Sequence, residues 1–124
     1  MITQDRGRWG EGVAMRFLQR KRYDVLARNW RSGHDEIDIV AKDDDGVLVF
    51  VEVKTRSLAD RIGGYGAART PRKKQALCRA RNAFLETHAR DAQTYRLDVI
   101  EVLTPKFTNR ADKIVHFENV GFAG

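Results

Sequence analysis

Glu36-Ile37-Asp38, and after a short acidic turn Val51-Glu52-Val53-Lys54, place three carboxylates and a lysine in stretches that are otherwise apolar. Side chains alternate faces along a β-strand, so Glu36 and Asp38 are expected on one face, and Glu52 and Lys54 on one face of theirs. Residues two apart stand roughly 6.6 Å apart along the strand, so a carboxylate can hold a cation while the lysine reaches past it to a water or a phosphate. An ionised group in an apolar strand is costly unless it is paired or coordinates a metal. Two readings follow. On neighbouring antiparallel strands, Asp38 and Glu52 can converge on a hydrated divalent ion such as Mg²⁺, which takes one or two carboxylates and keeps several waters. Lys54 would then orient the attacking water or stabilise charge developing on a phosphate. Glu11, off the apolar stripe of the first helix, offers a further carboxylate if that helix packs over the strand ends. This set suits metal-assisted hydrolysis of a phosphodiester. The other reading is a cross-strand ion pair of Lys54 with Asp38 or Glu36, which needs no ligand.

The elements that must position these residues are legible in the hydrophobic pattern. From about Gly7 to Lys21, Trp9, Val13 and Phe17, with Ala14 and Leu18 beside them, recur at the spacing of an amphipathic helix. Residues 23–30 predict an interrupted strand, and Ser32-Gly33-His34 a turn. Residues 36–42 and 47–56 predict two further strands joined by Asp43-Asp44-Asp45-Gly46, Asp-Gly being a strong hairpin signal. In the second of these, Val47, Val49, Val51 and Val53 make one face and Leu48 and Phe50 start the other, so it is expected at the centre of a sheet covered on both sides. Residues 57–70, with Gly63, Gly64 and Gly66, predict a loop. Residues 71–88 predict a second helix opened by Pro71, with Leu77, Ala80, Phe84 and Leu85 as its buried stripe. Strands follow at about 95–103 and 114–117. The expected architecture is α/β: a mixed sheet of about four to five strands flanked by helices, in the order helix, three strands, helix, strand. The 124 residues suffice for one domain with a modest core.

Lys and Arg outnumber Asp and Glu by 23 to 17, giving a net charge of +6 and a pI near 9.8. That balance favours polyanions, nucleic acid first and anionic membrane second. No apolar run approaches the roughly 20 residues that span a bilayer, so no membrane role is expected. Residues 1–12 lack the apolar region of a secretory signal. The single cysteine, Cys78, excludes an intrachain disulfide and falls in a helical pattern as a packed thiol, which suits a reducing cytoplasm. Three histidines and one cysteine give no zinc spacing, and no glycine-rich phosphate loop is present. Arg72, Lys73 and Lys74 open the second helix and, with Arg56, are candidates for phosphate contact; a solvated helix face is the alternative. Arg96 and Asp98, two apart on one strand face, can pair with each other.

Asp38 followed by Glu52-Val53-Lys54 resembles the (P)D-(D/E)-x-K signature of the restriction-endonuclease-like nucleases, and the expected order of elements is similar to the core of that fold. Over about residues 8–118 the chain resembles the YraN/UPF0102 family of small nucleases, themselves similar to archaeal Holliday-junction resolvases. The matching residues are Gly10-Glu11-x-x-Ala14 with Phe17-Leu18, Leu26-x-Arg28-Asn29, Glu36-Ile37-Asp38, the run from Val49 to Arg56, Gly64, Thr70, Lys73, and Arg96-x-Asp98-Val99. The resemblance implies a restriction-endonuclease-like domain acting as a Mg²⁺- or Mn²⁺-dependent endonuclease on DNA, branched DNA included. By position, Asp38 and Glu52 would be metal ligands, Lys54 the catalytic lysine and Glu11 the helix-borne acid of the catalytic set. Arg56, Arg72, Lys73 and Lys74 would hold the DNA backbone. Cutting a junction with so small a domain requires two sites, hence a homodimer. The alternative is a nucleic-acid-binding module that does not cut, or a subunit of a repair or recombination assembly. Arg22 stands where the family tends to have Gly before Tyr23, and Asp35 where Gly is usual, adding negative charge beside the site.

Overall fold

The computed structural model describes residues 3–57, 70–105 and 110–121. The expected loop over residues 57–70, with Gly63, Gly64 and Gly66, lies outside the described residues apart from its two ends. The described chain runs α1 (Thr3–Arg20), β1 (Asp24–Ser32), β2 (Asp35–Lys42), β3 (Leu48–Ser57), α2 (Pro71–His88), β4 (Tyr95–Thr104) and β5 (Lys113–Phe117), the order read from the sequence. The strands form one five-stranded sheet in the order β1-β2-β3-β4-β5. Neighbours are antiparallel except β3 and β4, which are parallel. A parallel pair needs a crossover connection, and α2 supplies it. The fold is therefore α/β with a mixed sheet.

Strand β3 is central and covered on both faces, as its two apolar faces require. Val49 and Val51 pack with Ala14 and Leu18 of α1 and with Ile39, Ile100 and Val102. Leu48 and Phe50 pack with Leu77, Ala80 and Phe84 of α2 and with Val40 and Leu97. No helix among the described residues is long and apolar enough to cross a membrane.

Helix α1 sits on the sheet along a line one position over from the expected stripe. Gly10, Ala14 and Leu18 are the buried positions, while Trp9, Val13 and Phe17 are partly buried beside them. The reason is steric: small residues let the helix come closer than Trp or Phe would. A methyl group on Gly10 would overlap Thr55 Oγ1 on β3, so this contact exists only with glycine. The helix ends in a Schellman arrangement. The N–H of Tyr23 donates to Leu18 O and that of Arg22 to Gln19 O, both at 3.0 Å, with Arg22 left-handed at φ 69°. That is the backbone region in which glycine is free of strain.

The β2–β3 ladder stops one pair short of the acidic residues, at Ile39↔Val51. Alternation on β2 fails at the same point. Ile39 and Ala41 pack under α1 and Val40 under α2, but Ile37 packs with Val40 rather than with Ile39. The regular alternation expected through residues 36–38 is thus broken at Asp38. The broken pairing leaves a main-chain donor on β3 open to a side chain.

Candidate active site

Glu11 from α1, Glu36 and Asp38 from β2, Glu52 and Lys54 from β3, and Lys73 from α2 line one cavity of about 230 Å³, together with Val53 and Leu77. All four residues of the expected catalytic set are brought together there. The larger cavity of about 690 Å³, between Leu26, Phe84 and His88, contains none of them.

Each side chain arrives for a local reason. Glu11 lies three residues before Ala14 and seven before Leu18, on the side of α1 that faces the sheet. Its Oε1 is buried with no hydrogen-bond partner among the described residues, while the Asn29 side chain bonds the carboxyl group from β1. Asn29 is left-handed at φ 50°. Burial pushes the Glu11 pKa up against that hydrogen bond, and Glu36 adds to the rise. Asp38 Oδ2 accepts the main-chain N–H of Val53 at 2.8 Å, filling the donor that the ladder leaves open. Burial raises the Asp38 pKa to about 7, despite that bond and reinforced by Glu11, Glu52 and Glu36.

Glu52 is buried at 5% exposure and draws both lysines. Lys73 Nζ lies 2.6 Å and Lys54 Nζ 3.4 Å from its Oε1. The ion pair that the alternative reading gave Lys54, with Asp38 or Glu36, is made with Glu52 instead, because residues two apart on β3 share a face. Burial lowers the Lys54 pKa, the neighbouring Lys73 lowers it further, and Glu52 opposes both. For Lys73, burial pulls down, but the bonds to Glu52 and Lys54 outweigh it and the pKa rises.

The reach of Lys73 is set by the start of α2. Thr70 caps the helix, its side chain accepting the Lys73 N–H at 3.2 Å, and Pro71 opens the first turn. That turn carries no acidic residue but holds Arg72, Lys73 and Lys74. Cations at a helix N-terminus oppose the macrodipole at about 0.3–1 kcal/mol each, so this arrangement suits an end that meets negative charge. Lys73, a candidate for phosphate contact by its place on α2, also contacts Glu52, which its charge alone does not foretell. The signal was present: Lys73 is four residues before Leu77, so it continues the buried stripe of α2 by one turn.

Arg72 lines an adjoining cleft of about 450 Å³ with His34, Asp35 and Arg79; Glu36, Lys73 and Leu77 line both spaces. Asp35 accepts two bonds from Arg79, both at 2.9 Å, and these bonds lower its pKa. The extra negative charge beside the site is matched by α2, and the Asp35 backbone is not among the left-handed residues that would ask for glycine. Lys74 is half-buried on α2 and lines neither space. Arg56 lies outside the cavity, its Nε 4.0 Å from Glu101 Oε2 on β4.

The acidic cavity fits a hard divalent cation. Its donors are carboxylate oxygens, the set that Mg²⁺ and Mn²⁺ take. Glu11 Oε1 accepts no hydrogen bond among the described residues, Arg28 and Arg8 acting on its carboxylate only through their charge, and Glu52 already stabilises positive charge from two ammonium groups. A second acidic group does not fit. Asp98, His116 and Glu118 have ligand atoms within 4.8 Å of one another, the one group of three or more His, Cys, Asp or Glu side chains this close among the described residues. Arg96, however, lies 3.0 Å from Asp98 and 3.4 Å from Glu118. Asp98 also accepts from His116 at 2.7 Å and from the Asn119 N–H at 2.8 Å. Lys21 Nζ lies 2.9 Å from His116 Nδ1, and the other ring nitrogen, Nε2, faces Asp98 at 2.7 Å. Arg96 reaches on to Asp43 of the β2–β3 turn at 2.7 Å. The expected Arg96–Asp98 pair is thus the middle of a satisfied clasp, and a cation would have to displace the guanidinium.

The chain matches the model of a family described as "Uncharacterised protein family UPF0102" over residues 10–102, a span that includes Glu11, Asp38, Glu52, Lys54 and Lys73. A UPF0102 protein of Chlorobium phaeobacteroides is 41% identical over 95% of this chain and 94% of its own length. One of Roseiflexus castenholzii is 46% identical over 77% of each. Among solved structures, a repair endonuclease from Pyrococcus abyssi aligns with a TM-score of 0.42 at 16% identity, over 74% of this chain and 37% of that one. By its sequence relatives and the matched residues, the chain belongs to the UPF0102 family.

Proposed function

We propose that this chain is a metal-dependent endonuclease that hydrolyses DNA phosphodiester bonds, acting in a reducing cytoplasm on branched DNA as a homodimer. The observation that supports it most is the meeting of Glu11, Asp38, Glu52 and Lys54, from three separate elements, in one cavity beside the cationic first turn of α2. Asp38 and Glu52, with Glu11 near them, would hold Mg²⁺ or Mn²⁺. Bound there, the ion would polarise a phosphoryl oxygen and lower the pKa of a coordinated water. Lys54 donates hydrogen bonds to the phosphate and stabilises the charge that builds on it as the bond to the leaving oxygen breaks. Arg72, Lys73 and Lys74 take flanking phosphates, and Arg56 extends the cationic surface from the end of β3. The net charge of +6 favours a polyanionic substrate over the whole molecule.

A second reading is a nucleic-acid-binding module that does not cut. The pair between Lys73 and Glu52 favours it, because an ammonium already occupies the carboxylate. Incubation of duplex, single-stranded and four-way-junction DNA with Mg²⁺ or Mn²⁺ separates the two. Cleavage by the wild type that disappears in both Glu52→Ala and Lys54→Ala supports the nuclease. Tight binding of all three DNAs without cleavage under either ion supports the module.

A further inference from the structure

We propose that Lys73 is a tethered counter-cation: its ammonium holds Glu52 in the metal-free protein and leaves when a divalent ion binds, which frees it for a phosphate of the nucleic acid. The inference rests on the nuclease reading of the same cavity. A hydrogen bond of 2.6 Å between ammonium and carboxylate is short and charge-assisted, and it is the closer of the two lysine contacts to Glu52. A divalent ion held by Glu52 would meet the Lys73 ammonium at the same carboxylate, where like charges repel, so the two cations would compete.

The two lysines differ in their freedom to move. Lys54 is 24% exposed on the central strand, whereas Lys73 is 40% exposed on the first turn of α2. The Lys73 main chain is fixed by the Thr70 cap, but its four-carbon stem can turn about that anchor. Lys73 lines both the acidic cavity and the neighbouring cleft, where Arg72 also stands. A small rotation therefore carries the ammonium from Glu52 to a place where phosphate would be received. Metal binding and nucleic-acid binding then reinforce each other, and the coupling is reciprocal.

Mn²⁺ affinity of the intact chain, measured without DNA by calorimetry and by electron paramagnetic resonance, tests this. Lys73→Gln and Lys73→Ala should bind Mn²⁺ about tenfold tighter than the wild type, the equivalent of removing one competing ion pair. Arg90→Gln, which removes the same charge from an exposed position near the far end of α2, should stay within about twofold by the distance screening of exposed charges. The rise in melting temperature on adding Mn²⁺ should also be larger in both Lys73 variants, which reports on folded protein. In a Lys54→Ala background that leaves DNA uncut, Lys73→Gln should lower the salt slope of duplex binding by about one with Mn²⁺ present and leave it unchanged in EDTA. Unchanged or weaker Mn²⁺ binding by the Lys73 variants, with normal binding by the wild type, overturns the inference alone. Failure of wild type and variants alike to bind Mn²⁺ overturns the nuclease reading and the inference with it.

Discussion

Asp38 Oδ2 accepts the main-chain N–H of Val53 at 2.8 Å, so a side chain of β2 stands where a main-chain carbonyl would continue the ladder to β3. The bond seats a carboxylate beside Glu52 in a partly buried position, at an electrostatic cost. Burial and the neighbouring Glu11, Glu52 and Glu36 raise its pKa from an ordinary 3.8 to about 7. A carboxyl group raised on folding contributes its full stability below the unfolded pKa and loses it as pH rises toward the folded one. In EDTA, wild-type stability should therefore fall between about pH 4 and 7 relative to Asp38→Asn, which can keep the Val53 bond. At pH 8 the variant should be more stable by on the order of 2 kcal/mol. Urea unfolding at pH 5 and pH 8 measures this, and equal gaps at both pH values contradict it.

Arg22 occupies the left-handed position that closes α1, with φ 69°. Arg22→Gly removes that strain and should stabilise the protein by about 0.5–1 kcal/mol, partly offset by the greater freedom of glycine in the unfolded chain. The urea midpoint should rise with an unchanged slope. A fall in the midpoint would mean that the arginine side chain contributes more than its backbone costs.

Gly10 sets the distance between α1 and β3, and so the position of Glu11. In Gly10→Ala the new methyl meets Thr55 Oγ1, and the cost should be about 1–3 kcal/mol. Thr55→Ala removes the overlapping oxygen, so the double variant should recover part of the loss. A double-mutant cycle on unfolding free energies reads the coupling directly, and additive effects would refute the contact.

Asp98 is fully buried, and its pKa is lowered: burial raises it, but hydrogen bonds from His116, Arg96 and the Asn119 N–H prevail. A depressed carboxyl group stabilises above the unfolded pKa and loses that contribution as pH falls through the folded one. Asp98→Asn should cost about 2–4 kcal/mol at pH 7, because Arg96 and His116 lose their charged partner. The gap to wild type should close as pH drops below about 4, the ordinary value for an aspartate. Unfolding curves from pH 7 to pH 3 test this, and a gap that widens on acidification contradicts it.

The order of elements and the central place of β3 were readable because hydrophobic periodicity reports which faces are buried. Glu52 and Lys54 were readable for the same reason, as ionisable groups in an apolar strand. What the pattern does not carry is how elements meet. The Lys73–Glu52 contact depends on how the Leu77, Ala80 and Phe84 stripe seats α2 on Phe50, and the clasp around Asp98 depends on the β4–β5 register that delivers His116. Asp38 was identified by residue type, but its geometry follows from a break in alternation that a period-two reading assumes away. The closeness of α1 comes from Gly10, whose missing side chain leaves no apolar signal.

Whether the cavity of Glu11, Asp38 and Glu52 takes a divalent ion is decided most directly by anomalous diffraction from a crystal soaked in Mn²⁺. The expected result is a peak between Asp38 and Glu52 with the Lys73 ammonium withdrawn from Glu52. A peak confined to Asp98, His116 and Glu118, or no peak in crystals that keep the Lys73–Glu52 contact at high Mn²⁺, contradicts the account.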